Sequence, residues 1–233
     1  MLEIVGLHSR YGLAHILHGV SFAAAAGEVL VLLGRNGAGK STTLKSIIGL
    51  VRPAAGRVRF DGVDVAGWEP HRIARAGLGY VPEDRRIFAD LTVAENLLVG
   101  RQPARPGLAP WTEARLFALF PNLATLRDRP AGRMSGGEQQ MLTIARTLMG
   151  NPRCILLDEP AEGLAPVIVA QMAQAILALK AEGVTVVLAE QNLHFAASVG
   201  DRAAVIETGR VIWSGPMAAL QGDAALRAAH LHL

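Results

Sequence analysis

Gly34-Arg35-Asn36-Gly37-Ala38-Gly39-Lys40-Ser41 matches the pattern G-x-x-x-x-G-K-[ST] at every fixed position. Residues 28–33 before it are a short apolar run, as expected of a buried strand, and residues 39–50 after it have helical spacing. A glycine-rich turn between a buried strand and a helix curls successive backbone N–H groups around one anion. The helix N-terminus adds partial positive charge at the same place. This predicts a phosphate cradle, with Gly34, Arg35, Asn36, Gly37, Ala38 and Gly39 as backbone donors. Lys40 would reach the outer phosphates, Ser41 would offer its hydroxyl to Mg²⁺, and Thr42 would follow on the first helical turn. The expected ligand is a polyphosphate with Mg²⁺.

A second strand pattern, residues 153–157, ends in Asp158-Glu159. A buried strand of a parallel sheet delivers such acids to its carboxyl edge, beside the cradle. Asp158 is then a metal-facing acid, and Glu159 a group that orients or deprotonates the attacking water. Read without the cradle, the same two acids would only cap the next helix. Further upstream, Met134-Ser135-Gly136-Gly137-Glu138-Gln139-Gln140 opens an apolar helical spacing at Met141, Ile144, Ala145 and Leu148. Ser135 and Glu138 have the S-x-x-E spacing of a capping box, and Gly136 and Gly137 bare the N–H groups of that helix start.

Around these motifs the chain reads as α/β. Residues 2–8 and 16–23 alternate like strands about a turn near Tyr11-Gly12, and residues 57–60 pair through Asp61-Gly62. Residues 70–76 are helical and 78–81 a strand. From 83 to 150 the pattern changes to helices and loops with no strand, and residues 101–110 hold three prolines and a glycine. Strand and helix then alternate: strands at 184–189, 203–206 and 210–213, helices at 166–182, 192–199 and from 216. The expected division is a nucleotide-binding core of residues 1–82 and 151–233, with an N-terminal antiparallel β subdomain, and a helical subdomain of residues 83–150 inserted in it.

Composition bounds the function classes. Of the 233 residues, 51% are hydrophobic and 18% charged, enough for one sizeable core without disulfide or metal support. Mean hydropathy is +0.29, yet the most apolar stretch, 16–33, is broken by His18, Ser21, Gly27 and Glu28. No segment reads as a membrane span. Residues 1–10 lack a basic-then-apolar leader, and Cys154 is the one cysteine, so a cytoplasmic chain is expected. A net charge of +3 without a concentrated basic block argues against nucleic-acid binding.

The cradle at Gly34, the Ser135–Gln140 motif and the acids Asp158-Glu159 together resemble an ABC-type ATPase over nearly the whole chain. The resemblance implies a P-loop NTPase fold in which two subunits sandwich two ATP molecules head to tail, so that Ser135, Gly136 and Gly137 act on the partner's nucleotide. It implies that Tyr11 stacks on adenine and that Glu83, in Gly79-Tyr80-Val81-Pro82-Glu83, occupies a metal-contacting position usually held by Gln. Gln191, in Leu188-Ala189-Glu190-Gln191-Asn192, occupies the switch position usually held by His, where its amide can donate a hydrogen bond but cannot carry a proton. Gly163-Leu164-Ala165-Pro166 fills the loop that touches the partner subunit.

Glu83, E-Q-N, S-G-G-E-Q-Q-M and E-G-L-A-P-V-I are each similar to the smaller ATP-binding subunit of branched-chain amino-acid importers, whose relatives serve urea and amides. That subgroup implies two membrane permease subunits, a second ATPase chain, an external solute-binding protein, and a peripheral place on the cytoplasmic face of the inner membrane. A short permease helix would dock near residues 85–98, with Phe88, Leu91 and Val93 as apolar contacts or as local core. Lipid or lipopolysaccharide extraction and a soluble iron–sulfur scaffold ATPase are the alternative roles.

Overall fold

The computed structural model describes residues 1–223 and Ala228. The last residues of the core expected at 151–233 therefore lie outside the described residues. The chain opens with strands β1 (Leu2–Tyr11), β2 (Ala14–Ala24) and β3 (Val29–Leu33), then helix α1 (Lys40–Ile47). Strands β4 (Ala55–Phe60) and β5 (Val63–Asp64), helix α2 (Pro70–Ala76) and strand β6 (Leu78–Val81) follow. Between β6 and the next strand lie only helices: α3 (Val93–Gly100), α4 (Glu113–Leu119), α5 (Pro121–Thr125), a 3₁₀ turn at Ala131–Arg133, and α6 (Gly136–Leu148). Among the described residues their one sheet-like contact is an isolated bridge, Thr92 to Pro130. The chain returns through β7 (Cys154–Asp158), α7 (Pro166–Ala181), β8 (Thr185–Glu190), α8 (Leu193–Val199), β9 (Arg202–Glu207), β10 (Arg210–Pro216) and α9 (Met217–Gly222).

Two sheets result. The first is antiparallel, in the order β2-β1-β4-β5. The second has six strands in the order β10-β9-β3-β8-β7-β6, parallel except for the β9–β10 pair at one edge. Every residue of β3, β7 and β8 is buried, which is why these strands read as continuous apolar runs rather than alternating ones. Alternate residues feed two cores. Val31, Leu33, Ile155, Leu157, Val186 and Leu188 face the core shared with α3, α6, α7 and α8. Leu30, Leu32, Leu156, Val187 and Ala189 face α1 and the antiparallel sheet. All the parallel strands end toward one edge, where the loops after β3, β7 and β8 meet.

Several expected boundaries move. The first hairpin is longer at both ends, and its turn is Gly12-Leu13, so Tyr11 is the last residue of a strand rather than part of the turn. Helix α1 stops at Ile47, not residue 50, because the Val51 N–H bonds back to the Lys45 carbonyl and the Gly49 N–H to that of Ser46. Strand β8 runs one residue further than expected, to Glu190, and Asn192 is the cap of α8, accepting from the Phe195 N–H. Among the described residues no helix is long and apolar enough to cross a membrane.

Candidate functional site

The loop from Gly34 to Gly39 leaves β3 and enters α1 as expected. Gly34 N–H donates to the Glu190 carbonyl at 3.3 Å, which ties the loop to the end of β8. Ala38 N–H closes on the Arg35 carbonyl at 3.1 Å. Gly39 caps α1 with φ 110°, a left-handed conformation, and a Cβ there would come within 2.9 Å of a Leu17 methyl. Lys40 is buried, and its ammonium donates to the carbonyls of Gly34 (2.8 Å) and Arg35 (3.1 Å) and pairs with Glu159 Oε1 at 3.0 Å. The Ser41 hydroxyl donates to Asp158 Oδ1 at 2.8 Å, and the Tyr80 hydroxyl donates to Oδ2 at 3.1 Å.

A cleft of about 400 Å³ opens over this loop. It is lined by Tyr11 and Ile16 on one side, by Asn36, Gly37, Gly39, Lys40, Ser41 and Thr42 at its floor, and by Glu83, Glu159 and Glu162 opposite. Tyr11 is about half exposed (48%) at the rim, available for stacking. Gly34, Arg35 and Ala38 shape the loop from behind rather than line the cleft. Glu159 also lines a second, adjoining cleft of about 740 Å³, together with Glu190, Gln191, Asn192 and His194.

The electrostatics fit a site built for a metal-bound polyphosphate. Burial pushes the Asp158 carboxyl above its ordinary range, and the Ser41 and Tyr80 hydrogen bonds oppose that push. Burial, then the Asp158 charge, pushes the Tyr80 phenol up, so Tyr80 remains a donor. Glu162 is pushed up to about 7, first by its hydrogen bond to Glu159, then by burial and by the charges of Glu159 and Glu83. Against these acids stands Lys40, among the described residues the one buried cation of the cleft. Among the described residues no three His, Cys, Asp or Glu side chains form a ready metal cage. Ser41, Asp158 and Glu83 instead offer a few oxygen ligands at the foot of a phosphate cradle, the donor set Mg²⁺ takes when phosphates and water complete its shell.

Ser135, Gly136 and Gly137 do not join either cleft within one chain. They open α6 through a formed capping box: Ser135 Oγ accepts from Glu138 N–H at 3.4 Å, and Glu138 Oε2 accepts from Ser135 N–H at 2.7 Å. Gln191 is exposed and lies on the second cleft rather than over the cradle. Of the three apolar residues assigned to docking, Phe88 is half exposed beneath the Arg146 guanidinium, whereas Val93 is fully buried in the core. Val93 is therefore a packing residue, not a contact surface. Tyr80, Glu162 and Glu190 were not singled out from the sequence. Glu190 carried a signal, an acid closing an apolar strand as Asp158 does; Tyr80 carried none beyond its strand.

The ABC transporter family pattern matches residues 17–162, more than half of the chain. The chain is 42% identical over 231 residues to the high-affinity branched-chain amino acid transport ATP-binding protein BraG of Pseudomonas aeruginosa, covering 99% of both chains. It is 34% identical to the lipopolysaccharide export system ATP-binding protein LptB of Acidithiobacillus ferridurans, covering 99% of this chain and 96% of that one. Among solved structures it is similar to a nucleotide-free ATP-binding cassette from an ABC transporter, with a TM-score of 0.84, 28% identity and coverage of 100% and 98%. It is also similar to a bacterial ABC transporter cassette solved as a dimer, with a TM-score of 0.79, 25% identity and coverage of 93% and 99%. This chain belongs to the ABC transporter family and carries its nucleotide-binding ATPase fold.

Proposed function

We propose that this chain is the ATP-hydrolysing subunit of a membrane importer for branched-chain amino acids. The observation that carries the reading is the joined set Lys40, Ser41, Asp158 and Glu159, held by hydrogen bonds and one ion pair at the edge of the sheet. The backbone of residues 34–39 and the side chain of Lys40 bind the phosphates, while Thr42 lines the same floor. Tyr11 stacks on the base. Ser41, Asp158 and Glu83 hold Mg²⁺, which supplies charge neutralisation on the phosphates. Lys40 must leave Glu159 to reach a phosphate, and that departure frees the Glu159 carboxylate to take a proton from the attacking water. Gln191, on the adjoining cleft that shares Glu159 and Glu162 with the cradle, turns its amide to the terminal phosphate when the site closes, without carrying a proton.

Ser135, Gly136 and Gly137 act on the nucleotide of a second ATPase chain, since in one chain they lie away from the cleft. Residues 83–150 move as a helical subdomain and pass the closure to a pair of permease subunits, with half-exposed Phe88 at the contact. A solute-binding protein delivers the amino acid outside, and the chain works peripherally at the cytoplasmic face of the membrane. Full-length similarity to BraG at 42% favours amino-acid import over the lipopolysaccharide role of the 34% relative. The test is gentle detergent extraction of the tagged chain with its companions identified by mass. Two permeases and a second ATPase are expected. Recovery with lipid-extraction components, or with soluble partners alone, would contradict the import reading.

A further inference from the structure

Glu190 is a buried acid that neither the fold nor the reaction above uses. The β7–β8 register pairs Asp158 with Ala189, so Asp158 stands on the face shared with α1. Glu190, one residue on, stands on the opposite face, in line with Leu188 and Val186. It is only 3% exposed, and it borders the 740 Å³ cleft alongside Glu159 and Gln191. Its Oε2 accepts from the Asn192 N–H at 3.4 Å, while its Oε1 is buried without a hydrogen-bond partner. A buried polar atom left unpaired in this way is uncommon and calls for a use.

Burial pushes Glu190 up to about 7, and the Glu159 charge adds to the push. The hydrogen bond from the Asn192 N–H acts in the opposite direction. The other titratable groups around the cleft are Glu162 from the loop after the catalytic acids and His194 from α8, and Lys40 bears on it through its pair with Glu159.

We propose that Glu190 is a positioning residue for ATP hydrolysis, its carboxyl holding the Asn192 N–H and so fixing the neighbouring Gln191 in the cleft that both share with Glu159. The inference rests on the ATPase reading. As a carboxylate, Glu190 accepts the Asn192 N–H strongly and the hold is tight; as a neutral acid it accepts more weakly and the hold slackens. Turnover should therefore rise as pH rises through about 7. Stability runs the other way. The folded state holds this proton up to about 7 against an ordinary 4.5, so the group's contribution is full below 4.5 and is lost as pH rises toward 7.

Glu190→Gln keeps the shape but cannot ionise. In the full chain it should bind ATP within about twofold of wild type, lose about tenfold in kcat at alkaline pH, and lose the inflection near neutrality. Without nucleotide, its unfolding midpoint should exceed that of wild type at about pH 8 and match it near pH 4.5. Unchanged kcat, pH profile and unfolding midpoints, with ATP still bound, overturn the proposal alone. A wild-type chain that neither binds nor hydrolyses ATP overturns the ATPase reading with it. Should Glu190→Gln not fold, Glu190→Asp decides. Its shorter carboxyl should keep an inflection but lower kcat, and a wild-type kcat there overturns the proposal.

Discussion

Lys40 and Glu159 neutralise one another where almost no solvent reaches, with side-chain exposures of 3% and 7%. A buried pair is a poor source of net stability, but removing one partner strands the other charge at about 3–5 kcal/mol. The arrangement suits a site that must exchange one partner for a phosphate and release the other for chemistry. Gln191 marks the residue-scale departure from the commoner switch. Gln191→His should keep or raise ATP turnover if the amide works at the terminal phosphate; a change confined to thermal stability would argue that it does not. Asp158 and Glu159 were legible because an apolar strand ends in them. Tyr80 was not, because its reach to Asp158 depends on the parallel pairing of Tyr80 beside Leu156, which no local pattern in the sequence specifies.

At the scale of elements, two helices start with the same device. Thr92 and Glu95 form a capping box on α3 as Ser135 and Glu138 do on α6. Only the second was recognised from the sequence, because it sat beside two glycines and an apolar helical spacing. The pair allows a clean comparison. Thr92→Ala and Ser135→Ala should each destabilise the chain by about 1 kcal/mol through the lost cap. If Ser135 also meets a second chain's nucleotide, its variant should lower turnover much further than the Thr92 variant does. Equal activities in the two variants would leave α6 with a capping role only. The helical character of residues 83–150 was legible from the missing strand pattern. The burial of Val93 was not, since a first-turn apolar residue reads alike whether it faces the core or a partner.

Across the whole molecule, the two sheets are joined beside the phosphate cradle by the β9–β10 turn. Gly209 N–H donates to the Ala38 carbonyl, and the Gly209 carbonyl accepts from His18 N–H, both at 2.8 Å. Gly209 has φ 73°, and a Cβ there would press into the Ile16 carbonyl oxygen. Gly209→Ala should therefore lower the unfolding midpoint by several degrees, for roughly 2 kcal/mol of strain and displacement, and weaken ATP binding together with it. Normal ATP affinity in a destabilised variant would show that the junction does not shape the cleft. The alternation of strands and helices made a parallel sheet legible. The order β10-β9-β3-β8-β7-β6 was not, because it is set by crossovers between residues far apart in the chain.

The most direct measurement is steady-state ATP hydrolysis by the purified chain and by Glu159→Gln, with ATP binding measured on both. Mg²⁺-dependent turnover is expected of the wild type, with a variant that binds ATP but turns over about a hundredfold or more slowly, as loss of a general base requires. A Glu159→Gln chain that hydrolyses ATP at the wild-type rate would contradict that role.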